Sequence, residues 1–115
     1  FEYANLHAGG GAGARFSFEV TNTGSRAGTE VAQVYLEAAP DRVQQRLVGW
    51  ARVRLEPGET RRVTVEAEPR LLASWDAAAR GFRIAGGEHR FFLGPDSATP
   101  RLRAAITIEP ADLGP

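Results

Sequence analysis

The sequence contains no cysteine, which excludes a disulfide framework, a thiolate nucleophile and a cysteine-based zinc site together. It has no charge excess either, since fourteen Lys and Arg balance fourteen Asp and Glu. A field that gathers nucleic acid or anionic lipid normally shows as a clustered basic surplus, so neither nucleic acid nor a membrane is an expected partner. No apolar run approaches the roughly 20 residues with which a helix crosses a bilayer. Histidine is scarce: His7 and His89 stand alone, whereas zinc needs three or four ligands at short spacings. No metal or other cofactor is expected.

What is present is a balanced globular composition, 43% hydrophobic and 24% charged over 115 residues. That is the size of one domain, residues 1–115, with no room for a second. Phe1 to Leu6 already alternates apolar with polar residues like a strand in progress. The chain therefore reads as a domain excised from a larger polypeptide, and its lack of a leader says nothing of the parent's destination.

Hydrophobic period is the main signal of secondary structure, and here it is two almost throughout. Phe16, Phe18 and Val20 alternate with polar residues, as do Ala32, Val34 and Leu36, then Ala51, Val53 and Leu55, then Val63, Val65 and Ala67. His89, Phe91 and Leu93 continue the pattern, followed by Leu102, Ala104, Ile106 and Ile108. With Phe1–Leu6 this makes about seven half-buried strands. Turn residues separate them at Gly9–Gly13, Asn22-Thr23-Gly24, Pro57-Gly58, Gly86-Gly87 and Gly94-Pro95-Asp96, spacings too short for parallel crossovers. The expected fold is an all-β, immunoglobulin-like antiparallel sandwich. One helical interruption is expected over Pro69–Ala79, where proline opens a run containing Leu71, Leu72, Trp75 and three alanines. Phe82 and Ile84 then read as a short strand.

Few residues suggest chemistry. Gly9–Gly13 is glycine-rich, but a strand follows it, and a phosphate cradle needs a helix N-terminus there. His89 has core phase, which fits a hydrogen-bonded interior histidine. Asp76, Glu88, Glu56, Glu59 and Asp96 fall in turns or on surfaces, while glycoside hydrolysis needs two carboxyl groups held about 5–10 Å apart across a sugar-sized cleft. Ser17, Ser25, Ser74 and Ser97 lack a nucleophile-elbow context. Arg52, Arg54, Arg61, Arg62, Arg101 and Arg103 alternate with core residues and read as solvated sheet faces.

The aromatics are the most informative group. Phe16, Phe18 and Phe91 have core phase, whereas Tyr35 and Phe92 have the opposite phase, and Trp50 joins them if no bulge at Gly49 turns it. The expectation is an exposed patch of Tyr35, Trp50 and Phe92 rimmed by Arg52 and Arg90. Such a patch marks an interface or a sugar-stacking platform more often than bare surface.

The order of features resembles a known family. Phe1-Glu2-Tyr3-Ala4-Asn5-Leu6 and the block from Val20-Thr21-Asn22-Thr23-Gly24 to Gln33-Val34-Tyr35-Leu36 are similar to the opening strands of one particular module. It is the fibronectin type III-like domain at the C-terminus of family 3 glycoside hydrolases, the β-glucosidases and β-xylosidases. Leu47-Val48-Gly49-Trp50, Leu55-Glu56-Pro57-Gly58-Glu59, Leu72–Asp76 and Gly87-Glu88-His89-Arg90 fit the same pattern. His89 departs from it, standing where the family carries an aromatic. The stretch Ala38–Arg46 departs too, as a short loop without the usual prolines. The resemblance implies a parent hydrolase whose catalytic aspartate and glutamate lie in upstream domains, so that no catalytic residue falls on this chain. It implies an accessory module whose partner is the parent's catalytic domains, with carbohydrate as the alternative partner. Cysteine usage leaves the compartment open, and the resemblance favours the periplasm or the exterior over the cytoplasm.

Overall fold

Period-two alternation becomes strand almost everywhere. The computed structural model describes residues 1–115, with the elements in the following order. They are β1 (Glu2–Gly9), β2 (Arg15–Thr21), β3 (Gly28–Ala39), β4 (Arg42–Leu55), β5 (Thr60–Glu66), α1 (Pro69–Leu72), β6 (Ser74–Asp76), β7 (Gly81–Ile84), β8 (Gly87–Gly94), β9 (Leu102–Ile108) and β10 (Ala111–Gly114). Seven of the strands build a sandwich of β1-β2-β5 on β4-β3-β8-β9, all antiparallel. The expected all-β sandwich is therefore the fold. Three short strands, β10-β7-β6, make a small additional sheet.

The inward residues of both layers form one cluster of 22 buried side chains. Phe16, Phe18, Val20, Val63 and Val65 come from one sheet, and Val34, Leu36, Val53, Phe91 and Leu93 from the other. Phe16 meets Phe91 edge-on across the gap, centroids 4.9 Å apart. Burying each such side chain contributes about 1.5–3 kcal/mol, so the interior is closed by this chain's own residues.

One end of the sandwich is tied by Asn22. Its Nδ2 donates to the carbonyls of Arg26 (2.8 Å) and Leu55 (3.0 Å), while its Oδ1 accepts the Gly24 N–H at 2.9 Å. Its own carbonyl accepts the Gly58 N–H at 2.8 Å. Gly58 sits at φ 77° behind Pro57, and the Glu59 N–H donates to the Glu56 carbonyl at 3.0 Å, which is the geometry of a type II turn.

Two expectations are corrected, and one connection is tied down. The helix spans only Pro69–Leu72, and Trp75 lies on β6. Its last carbonyls are taken by β4 arginines: Arg46 donates to Leu71 and Ala73 oxygens at 3.1 and 3.2 Å, and Arg42 to Leu72 at 3.2 Å. Asp76 then accepts the Ala78 and Ala79 N–H groups at 3.0 and 3.2 Å, folding the alanines into a turn. The stretch 38–46 is mostly strand, reversing at Pro40-Asp41 between β3 and β4. The glycine-rich connection is pinned, since Gly11 bridges Ile108 and a side chain on Gly10 would lie 2.2 Å from the Thr107 oxygen.

Candidate functional site

The outer face of β4-β3-β8-β9 carries the residues singled out from the sequence. Tyr35 and Phe92 are opposite each other in register and stack with centroids 4.9 Å apart and planes 12° from parallel. Phe92 is nevertheless only 2% exposed, and Tyr35 is half-buried. The expected patch of three exposed rings does not form. The physical reason is a cover that alternation does not encode. Tyr35 lies over Phe92, and the 95–101 loop folds back on the same face. Pro95 accepts from Gln33 Nε2 at 2.9 Å, and the Thr99 carbonyl closes over Gly94. The Tyr35 hydroxyl donates to Gln33 Oε1.

Trp50 is exposed, at 62%, despite a bulge beside it. Val34 pairs with Gly49 but Tyr35 pairs with Leu47, so Val48 is the additional residue. Val48 and Gly49 are both buried, and the phase of Trp50 is preserved. Arg52 is exposed next to it, and neither Arg52 nor Arg54 has an acidic partner within 4 Å. Arg90 is exposed but engaged, bonded to Glu88 at 2.9 Å.

Sequence reasoning missed a second exposed indole. Trp75 is 54% exposed and meets Phe82 edge-on at 5.3 Å, with the Arg70 guanidinium 5.6 Å above the Phe82 ring. The signal for it was the alternation in Ser74-Trp75-Asp76, which three residues leave too short to read.

Several polar side chains are engaged within the fold. Asp41 accepts from Ser74 Oγ at 2.8 Å and from Arg42 at 3.2 Å. Partial burial would raise its pKa, but the Ser74 hydrogen bond, the backbone and Arg42 together hold it below the usual carboxylate range. Asp41 and Asp76 line one groove, where Asp41 is an ionised acceptor and Asp76 caps a turn. Glu59 is held low by the Glu56 N–H and Arg61, and Asp96 by Thr99 and the Ala98 N–H. Ser17 accepts from Arg62 at 2.9 Å, and that arginine also pairs with Glu19 at 3.5 Å. No serine is bonded to a histidine: His89, fully buried, has its Nδ1 3.1 Å from the Gly87 carbonyl. No three His, Asp or Glu side chains converge on a point that could hold a metal. No helix is long and apolar enough to cross a membrane. The exposed features among the residues singled out are thus the two indoles of Trp50 and Trp75 and the unpaired Arg52 and Arg54.

The chain is 43% identical over 84 residues to a probable β-glucosidase N of Emericella nidulans, covering 70% of this chain and 12% of the relative. It is 34% identical over 96 residues to a probable β-glucosidase D of Aspergillus niger, covering 81% and 13%. The chain thus spans about an eighth of the length of these relatives. Among solved structures, a β-glucosidase from Streptomyces venezuelae superposes with TM-score 0.84 at 32% identity, over 91% of this chain and 14% of that one. The β-glucosidase 3B of Thermotoga neapolitana superposes with TM-score 0.85 at 30% identity, over 99% and 16%. The family model described as the fibronectin type III-like domain matches residues 30–97, and the chain belongs to that family.

Proposed function

We propose that this chain is a non-catalytic accessory module of a family 3 glycoside hydrolase, which packs on the catalytic body and stabilises it. One observation carries the reading: the β-glucosidases that match most of this chain devote only 12–16% of their own length to it. The rest of such a polypeptide is where a nucleophile and a general acid belong. Retaining hydrolysis needs a carboxyl group held protonated near neutrality opposite a second carboxylate. Asp41, Glu59 and Asp96 are held in the ionised direction, which suits hydrogen-bond acceptors.

The purified chain is expected to release no aryl alcohol from aryl β-glucosides or β-xylosides. Turnover that survives purification and disappears on replacing Asp41, Asp76, Glu88 or Asp96 would overturn the reading. Affinity electrophoresis in soluble β-glucan addresses the carbohydrate alternative, and unretarded migration is expected because the three-ring platform is absent.

A further inference from the structure

We propose that the domain docks through the flank centred on α1, from Trp50 on β4 to Trp75 on β6, and that its occupant is the catalytic body of the same polypeptide. This rests on the accessory-module reading above. The chain has two tryptophans; both are exposed, and both adjoin α1. Beside Trp50 a groove of about 460 Å³ has Pro69 and Leu71 in its wall and Glu66 and Glu68 on its rim. On the other side of the helix, Arg70 covers Phe82, and Phe82 supports Trp75. Exposed indoles, one of them beside a recess walled by Val48, Pro69 and Leu71, together with arginine side chains, are the composition of protein interface centres.

The α1 part of this flank is held in place before contact. Arg42 and Arg46 hold the carbonyls of Leu71 and Leu72 at the end of α1, and of Ala73 just after it, against β4, and Glu68 N–H donates to the Val48 carbonyl at 2.8 Å. A surface fixed before contact loses little freedom on binding. On the outer face of β1-β2-β5, by contrast, Arg62 is already paired with Glu19. Charge indicates what the partner offers. Glu68 has no ion pair, nor have Arg52 and Arg54. The matching surface therefore presents an apolar projection to the groove, a basic group towards Glu68 and carboxylates towards the two arginines. A body several times the size of this domain is present in every relative described above, and it lies in the same polypeptide.

The test compares the complete hydrolase polypeptide with the 115-residue chain, whose core is closed by its own residues, using hydrogen exchange and thermal unfolding. Segments 48–50 and 69–76 should exchange more slowly in the complete polypeptide. Trp50→Ala and Trp75→Ala should lower its melting temperature by more than they lower that of the chain alone, and Thr64→Ala on the other sheet should shift the two equally. Slowed exchange confined to other segments would overturn this surface and leave the accessory-module reading standing. Exchange slowed nowhere would remove both. Concentration-dependent dimerisation of the chain alone, abolished by Trp50→Ala, would make a second copy the occupant and overturn the assignment to the catalytic body.

Discussion

His89 is the one buried side chain with a nitrogen that finds no partner. Its ring is fully buried beside Phe91, centroids 6.4 Å apart, and Nδ1 reaches the Gly87 carbonyl while Nε2 meets nothing polar. Since only an N–H can bond a carbonyl, Nδ1 carries a proton, and Nε2 is the unsatisfied nitrogen. A buried group left unsatisfied costs about 1–3 kcal/mol, and phenylalanine keeps the ring while removing that group. His89→Phe should therefore raise the urea midpoint and His89→Ala lower it; equal losses in both would mean that Nε2 has a partner. Tyr3 sets a second residue-scale expectation. Burial first, then the charge of Glu30 and the 3.1 Å hydrogen bond donated to it, push the phenol well above its ordinary 10.0. A group whose folded pKa is raised gives stability that is complete below the unfolded pKa and lost as pH rises towards the folded one. Stability measured by denaturant titration should fall above pH 10.0, and Tyr3→Phe should flatten that alkaline loss. The core phase of His89 was legible from alternation. Its bonding was not, because the partner is a backbone oxygen two residues back on the same strand.

At the scale of elements, the bulge at Val48–Gly49 joins sequence to packing. A Cβ on Gly49 would lie 2.7 Å from Val65 Cγ1 and 3.0 Å from the Glu66 carbonyl, so the glycine lets β4 approach β5 where the layers meet. Overpacking a tight site costs about 1–3 kcal/mol, and Gly49→Ala should lower stability by that amount in equilibrium unfolding; a neutral result would show that β5 yields freely. The seven sandwich strands were legible because each is long enough for two or three alternations. β6 and β10, at three and four residues, are not. The helix was over-read because leucine and alanine favour helix locally, while the two β4 arginines that take its carbonyls lie more than 20 residues away in sequence. Phe92 was misplaced for a related reason. Period two assigns a side chain to a face of the sheet, and whether that face is covered depends on a loop from another part of the chain.

As a whole the molecule is long and narrow, 55 × 20 × 19 Å, and its interior is unevenly distributed along that length. The β-sandwich was legible from alternation; the unevenness was not, because it arises from how the small sheet is attached. β2, β3 and β8 are central or inner strands that bury Phe16, Phe18, Val34, Leu36 and Phe91 completely. β10-β7-β6 contributes Ile84 to the core, while neither β6 nor β10 has a fully buried residue. Its ties to the sandwich include the contact through α1 and the Ser74–Asp41 hydrogen bond. Amides exchange through openings whose free energies range from near zero at lightly packed segments to the global value in the core. Native-state hydrogen exchange of the chain alone should therefore show the slowest amides in β2, β3 and β8, opening to solvent only with global unfolding. Those of β6 and β10 should exchange orders of magnitude faster, since few apolar contacts oppose their opening. The ordering has a consequence for docking, because β6 carries Trp75 and would gain the most protection from a partner that covers it. Protection of β6 and β10 equal to that of β3 would instead place the small sheet inside the cooperative core.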